Sequence, residues 1–305
     1  MIISKGGKEI KKRLKIAAFL VTVFMPIGFV KAQNSSDNLT SNYILNQNGV
    51  RISMSDYNVL SYIYSDAYIQ TMTSSDYAAF TAKNININNL VKSVKYYRTT
   101  INHLTNEETN VEVTSTEFNN AGSALSVQKT ESNYVETQYK KLSLTLSSHG
   151  DGYGDVFVGL TWNMIPSTRS FDVLAVRYVG MSDIDGTQSG RQIWGTNGNY
   201  TYVNYAWNGT NINRQDNGFG ISMNLTNDST INYLENYMES CVRFSGTFQW
   251  SGASYQHATT TTTLAQSKSY TLAEDGKNGV ILFTGNIGSR YDNMPGVYAE
   301  LQSNT

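Results

Sequence analysis

A single cysteine, Cys241, serves the whole 305-residue chain, so no intramolecular disulfide can form and the fold must be held by its own core. No motif surrounds that thiol, which reads as a structural residue. Proline is nearly as scarce, at three residues, and little interrupts strand pairing. The three histidines, His103, His149 and His257, stand far apart. Zinc needs three or four ligands at restricted spacing, and no Cys/His or His-x-x-x-His pair supplies them, so neither a metal nor a cofactor is expected. The Gly-x-Ser-x-Gly elbow of serine hydrolases is also missing.

Clustered positive charge occurs only at the start. Lys5 to Lys15 carry six basic side chains and one acid ahead of the apolar run Ile16 to Val30, which ends in the small-x-small sequence Val30-Lys31-Ala32. This is the pattern of a secretory signal peptide, residues 1–32, and it predicts a secreted, extracellular protein. Pro26 and Gly28 interrupt the run, which falls short of the ~20 apolar residues of a membrane-spanning helix. No cysteine at the cleavage point supports a lipid anchor. Cleavage would remove seven of the 23 Lys and Arg and one of the 24 Asp and Glu, leaving 16 against 23, a net charge of −7. An acidic chain without basic clusters is repelled by phosphate backbones and anionic headgroups, so nucleic acid is excluded as a partner. Nothing after Ala32 is long and apolar enough for a stable membrane span after signal cleavage. Low cysteine use beside such a signal fits export from a Gram-positive bacterium.

Residues 33–52, rich in Asn and Ser, read as a flexible leader. In residues 53–92 the pairs Ser55-Asp56, Ser65-Asp66 and Ser75-Asp76 recur every ten positions. Serine accepts a hydrogen bond from an orphan N–H of a first helical turn and Asp complements the helix dipole, which predicts a small unit of three short helices. Its apolar positions include Tyr57, Leu60, Ile63, Tyr68, Ile69 and Met72. Residues 93–133 read as a polar connector carrying edge strands at Val94 to Thr100 and Val111 to Phe118.

From residue 134 to 305 the period changes to two. Leu142, Leu144 and Leu146 alternate with polar residues, as do Val156, Val158, Leu160 and Trp162, then Phe219, Ile221 and Met223, then Val242, Phe244, Phe248 and Trp250. Phe171 to Val179 is apolar on both sides except for Asp172 and Arg177, and reads as an interior strand. Asn208-Gly209, Asn217-Gly218 and Asn278-Gly279 are hairpin turn pairs. The fold class expected is mainly β: an antiparallel β-sandwich preceded by a small helical segment, with Ser229 to Glu239 a short crossing helix.

Two stretches carry a resemblance. Ile52 to Tyr97, with the strand Lys95-Tyr96-Tyr97-Arg98-Thr99-Thr100, resembles a segment of an uncharacterised family of exported proteins from low-GC Gram-positive bacteria. Trp162 and Met164-Ile165-Pro166-Ser167-Thr168-Arg169-Ser170-Phe171-Asp172 resemble a Trp-x-x-Met-Pro-Ser-Thr-Arg-Ser-Tyr-Asp-like run of the same group, with an inserted Ile165 and Phe171 in place of Tyr. The resemblance implies secretion and a β-rich C-terminal half, and brings no catalytic residues.

Asp151 to Asp155 and Asp183 to Gly186 bracket glycine with acids as calcium loops do. The first lacks a third oxygen and the second has Trp194 at the position of the bidentate Glu, so both read as turns. The remaining clue is aromatic. Trp194, Tyr200, Tyr202, Tyr205 and Trp207 gather in a Gly- and Asn-rich stretch, where exposed rings can bind sugar faces or protein surfaces. The function expected is noncatalytic binding or adhesion to an extracellular glycan or protein. A pore-forming toxin, through the uncharged Ala258 to Ala265, is one alternative. An extracellular hydrolase, which would need His149 or His257 within reach of a nucleophile or carboxylate, is the other.

Overall fold

The computed structural model describes residues 42–102, 104–105, 107–123, 135–274 and 279–302. The signal segment, His103 and Asn278 lie outside them. In chain order the elements are β1 (Tyr43–Leu45), β2 (Arg51–Ser53), α1 (Met54–Ile63), α2 (Asp66–Thr71), α3 (Ser74–Ala82), β3 (Leu90–Asn102), β4 (Glu107–Val113), α4 (Ser115–Ser123), β5 (Val135–Ser148), β6 (Tyr153–Trp162), β7 (Phe171–Val179), β8 (Met181–Asp183), β9 (Ser189–Thr196), β10 (Asn199–Ala206), β11 (Ile212–Gln215), β12 (Gly218–Asn224), β13 (Tyr233–Phe244), β14 (Phe248–Gln256), α5 (Leu264–Ser267), β15 (Tyr270–Leu272), β16 (Ile281–Phe283) and β17 (Val297–Gln302).

Two antiparallel sheets stack face to face. The larger runs β10-β9-β13-β6-β5-β3-β4, with β8 joining β13, and the smaller runs β11-β12-β7-β14-β17. The alternating side chains meet between them: Leu142, Leu144 and Leu146 from β5, Val156, Val158 and Leu160 from β6, and Leu234 and Met238 from β13 face Leu174 and Val176 from β7 and Phe219 and Ile221 from β12. The register opposes Leu142 to Leu160 and Leu144 to Val158, so the leucine-rich faces coincide. The β11–β12 turn is Asp216-Asn217, with Asn217 at φ 64°, one position ahead of the expected Asn217-Gly218 pair, because Gly218 already pairs with Gln215; Asn208-Gly209 joins β10 to β11 of different sheets and so closes no hairpin.

Each sheet is also covered on its outer face. Helices α1 to α3 bury Leu60, Ile63, Ile69, Met72 and Phe80 against Phe157, Ile193 and Tyr237 of the larger sheet. Behind the smaller sheet, Tyr270, Leu272, Ile281 and Tyr291 cover Val173 and Ala175. Strand β7 is thus apolar on both sides because both sides are buried.

Several expectations change. Part of the supposed flexible leader is a hairpin, β1–β2, because Val50 and Ile52 are buried under the helices and Asn46 donates to Ile69 and Met72 carbonyls. The helix caps are Ser53, Ser65 and Thr73, so only the middle Ser-Asp pair caps as expected. Thr73 displaces Ser75 because it closes a capping box with Asp76. Val94 to Thr100 lies within β3, which pairs with β5 on one side and β4 on the other, and so is interior. Buried Tyr97, Thr99 and Ile101 explain its place. Val111 to Val113 does lie at the sheet edge, in β4, whereas Ser115 onward is helix. Ser229 to Glu239 is no helix: β13 starts at Tyr233 and pairs with both β6 and β9, its Leu234 and Met238 facing the sandwich and Tyr237 the helices. Trp162 is in the sandwich core, whereas Trp250 is buried elsewhere, opposite Val179.

Leu160 is fully buried between the sheets. Leu160→Ala is expected to lower unfolding free energy by about 3 kcal/mol through lost burial and a residual cavity, read as a shifted urea midpoint with unchanged slope.

Candidate functional site

The outer face of the larger sheet carries charge as well as hydrocarbon. Along β13, Glu235 and Glu239 share a face with Tyr233 and Tyr237, and burial obliges each acid to find donors. Glu235 accepts from Thr161 Oγ1 at 2.7 Å, from Tyr237 at 2.9 Å and from Ser65 Oγ. Ser65 is also the α2 cap, so one hydroxyl starts the helix and docks it. Glu239 accepts from Tyr64 at 2.6 Å and pairs with Lys83 at 3.4 Å.

Beside these groups, between the helices and the β9–β10 edge, lies a half-open cavity of about 230 Å³. Tyr64, Tyr68, Tyr237, Arg191, Asn204 and Glu239 line it. Tyr64 and Tyr68 stack at 4.0 Å with planes 8° apart, and Tyr237 meets Tyr68 edge-on at 4.9 Å. Gly159 lies opposite Tyr237 on β6; a Cβ there would sit 2.7 Å from the tyrosine ring, so only glycine lets the ring lie across the strand.

Arg191 is held from four sides. Its guanidinium lies 4.9 Å from the Tyr68 ring and 4.6 Å from that of Tyr202, Nη2 donates to Asp76 at 2.8 Å, and Nε donates to Asn204 Oδ1 at 2.8 Å. Nη1 is buried with no hydrogen-bond partner among the described residues. Burial alone would raise the Asp76 carboxyl, but the Thr73 backbone N–H and Arg191 outweigh it and hold the group below its ordinary range. One carboxylate thus caps α3 and fixes the arginine.

The five aromatic residues singled out from the sequence do not form one patch. Tyr200 and Tyr202 pack on the helical side, Tyr200 beside Tyr233 at 5.1 Å. Trp194 and Tyr205 pack against the sandwich core. Tyr205 reaches the cavity, and Trp194 lines a shallower hollow of about 330 Å³ with Thr201 and Asp228. Trp207, 42% exposed, follows the cavity residue Ala206, with Arg214 5.1 Å from its ring. Arg191, Glu239 and Tyr64 were not singled out as site residues from the sequence, and Tyr68 was read only as an apolar position of the helical unit. The readable signal was Arg191 itself, a cation two positions from buried Ile193 in an otherwise uncharged strand.

Both described histidines touch carboxylates. His257 Nδ1 lies 2.9 Å from Asp172 Oδ2, with both side chains 0% exposed, and Tyr255 donates to the same carboxylate. His149 Nε2 lies 2.7 Å from Asp155 Oδ2, while Cys241 Sγ donates to Oδ1 at 3.0 Å and Lys83 pairs with Oδ1 at 3.3 Å. Asp155 therefore stands between imidazole and thiol, where a nucleophilic pair would need direct contact. Burial and the Asp155 charge push the Cys241 thiol up to about 12, keeping it protonated. Ala258 to Ala265, the stretch read as a possible pore lining, is loop and the start of α5 rather than a strand hairpin.

Neither a family model nor a curated protein matches the chain. Among solved structures it is similar to the collagen-binding domain from a Staphylococcus aureus adhesin, at 8% identity over 50% of this chain and 88% of that one, TM-score 0.27. It is also similar to the KRT10-binding region domain of the pneumococcal serine rich repeat protein PsrP, at 13% identity over 70% and 99%, TM-score 0.30. A pore forming protein matches at 9% identity over 71% and 88%, TM-score 0.21. Superpositions this partial decide nothing about what this chain binds.

The hydrogen bond to Asp155 raises His149 above its ordinary value of 6.5. A raised histidine contributes stability that is complete below 6.5 and lost as pH climbs through the folded value. The NMR titration midpoint of His149 is expected above 6.5, and His149→Gln should flatten the decline of Tm with pH in that window. Cys241 in the folded chain should alkylate at neutral pH at least about tenfold more slowly than a free cysteine, with denaturation restoring the rate.

Proposed function

We propose that the protein is an exported, noncatalytic binding protein that engages an extracellular glycan or protein surface at the cavity between its helices and the β9–β10 edge. The observation that carries this reading is Arg191 Nη1, a buried donor without a partner among the described residues at the wall of a half-open cavity. Buried polar groups are nearly always satisfied, and an exception beside open space calls for an acceptor from outside. Asp76 already neutralises the guanidinium, so the incoming atom need carry no charge. A sugar hydroxyl or a peptide carbonyl has the right chemistry. The tyrosine walls offer apolar faces, and Glu239 offers an acceptor to a ligand O–H or N–H. Exposed Trp207 extends the aromatic surface just outside. Export is supported by the N-terminal leader pattern.

Glycan arrays together with immobilised extracellular-matrix and epithelial proteins test the reading. Arg191→Lys keeps the charge and the stacking stem but removes the planar fork. It is expected to weaken binding about tenfold, the cost of one charge-assisted hydrogen bond, with an unchanged circular dichroism spectrum. Binding that survives both Arg191→Lys and Glu239→Gln at full strength would move the site elsewhere.

A further inference from the structure

At the opposite end of the larger sheet, Lys140 of β5 reaches across the sandwich to Asp292, in the segment that leads into β17. Nζ is in direct contact with Asp292 Oδ2, and both side chains are 0% exposed. The Trp162 ring lies 5.2 Å from Nζ. Asp292 cannot turn away: Oδ1 accepts the His257 backbone N–H at 3.0 Å and its own carbonyl accepts from Asn110 Nδ2. A third ionisable group stands on the same face of β4 as Asn110, two positions before it. Glu108, on β4 opposite Ile101 of β3, bonds the Thr259 side chain and has a buried Oε2 with no hydrogen-bond partner among the described residues. Burial, and then the Asp292 charge, push its carboxyl up to about 7. Two further titratable neighbours, His257 and Tyr255, are both engaged by Asp172.

We propose that Lys140 and Asp292 condense into an intramolecular amide that ties β5 of the larger sheet to the segment entering β17 of the smaller one. A fully buried ion pair loses the hydration of both charges, and its attraction repays that loss only with excellent geometry. An amide abolishes both charges. Proton transfer within the pair gives a neutral amine and a carboxylic acid. The Nζ lone pair then adds to Asp292 Cγ, and the developing negative charge on Oδ1 is met by the His257 N–H already bound there. The proton shed by nitrogen passes to Glu108, and the proton Glu108 held passes to Oδ2, which leaves as water. One C–N bond forms, one C–O bond breaks, nothing is oxidised or reduced, and Glu108 is regenerated. Held in contact, amine and acid react at an effective concentration on the order of 10⁵ M or more, and the dry surroundings oppose hydrolysis. Glu108 is the proton shuttle. Asp76 and Glu239 do not qualify for this chemistry, because their cations, Arg191 and Lys83, are respectively non-nucleophilic and shared between two acids.

The full chain, purified as the host exports it, is measured by intact mass spectrometry and by tandem spectrometry of a protease digest. The expected intact mass is one water below that of the processed sequence, with a branched peptide joining Lys140 to Asp292. Lys140→Arg and Asp292→Ala should restore the full mass. Glu108→Gln, which keeps the shape of the side chain, should do so while retaining the wild-type circular dichroism spectrum. A folded wild-type chain of full mass overturns the proposal, whatever the variants do. So does a one-water deficit that maps to a cyclised aspartate or to another pair of residues.

Discussion

Phe157, Ile193 and Tyr237 lie on the face of the larger sheet that points away from the sandwich, and a face so apolar cannot be left to water. The three short helices exist to cover it. A unit of that size is marginal alone, so helix and sheet stabilise each other. The cover is tied down at defined points: Ser65 to Glu235, Tyr64 and Lys83 to Glu239, Asp76 to Arg191. The cavity arises where the cover ends and the β9–β10 edge begins. Its walls are the same tyrosines that perform the docking, so binding surface and structural joint share their residues.

Buried carboxylates recur throughout the structure, and each joins segments distant in sequence. Asp155 gathers His149, Cys241 and Lys83; Asp172 gathers His257, Tyr255 and the Ala258 N–H; Asp292 gathers Lys140 and the His257 N–H. Such groups add little net stability over an apolar core, yet each would be costly to strand, so they favour one arrangement of layers. In a chain with a single cysteine they provide the links between distant segments that intramolecular disulfides cannot. The Lys140–Asp292 pair differs in joining a nucleophile to an acid with a proton carrier beside them.

The sandwich was legible because period-two alternation is local: Leu142, Leu144 and Leu146 must share a face whatever the rest of the chain does. The interior place of Phe171 to Val179 could be read from an equally local feature, apolar residues on both faces of one strand. Ser229 to Glu239 misled because Glu235, Asn236 and Glu239 look solvent-facing. In the fold Glu235 and Asn236 are buried, answered by Ser65, Thr161 and Tyr255 from remote segments. The polar connector misled likewise, since Tyr97, Thr99 and Ile101 reveal an interior strand only once β4 and β5 flank it. The aromatic stretch contained part of the site, in Tyr202 and Tyr205. Alternation nevertheless sends neighbours to opposite faces, and so divides what sequence proximity had grouped.

Local chemistry alone determined the strand-rich class, the helices ahead of it and the low positive charge, since each depends on composition or on residues within one turn or one strand. Which charges meet was decided only by tertiary structure. Arg191 finds Asp76 across 115 positions and Lys140 finds Asp292 across 152. No local period encodes such partners, because they are selected by the stacking of layers and by the cost of leaving any buried charge alone.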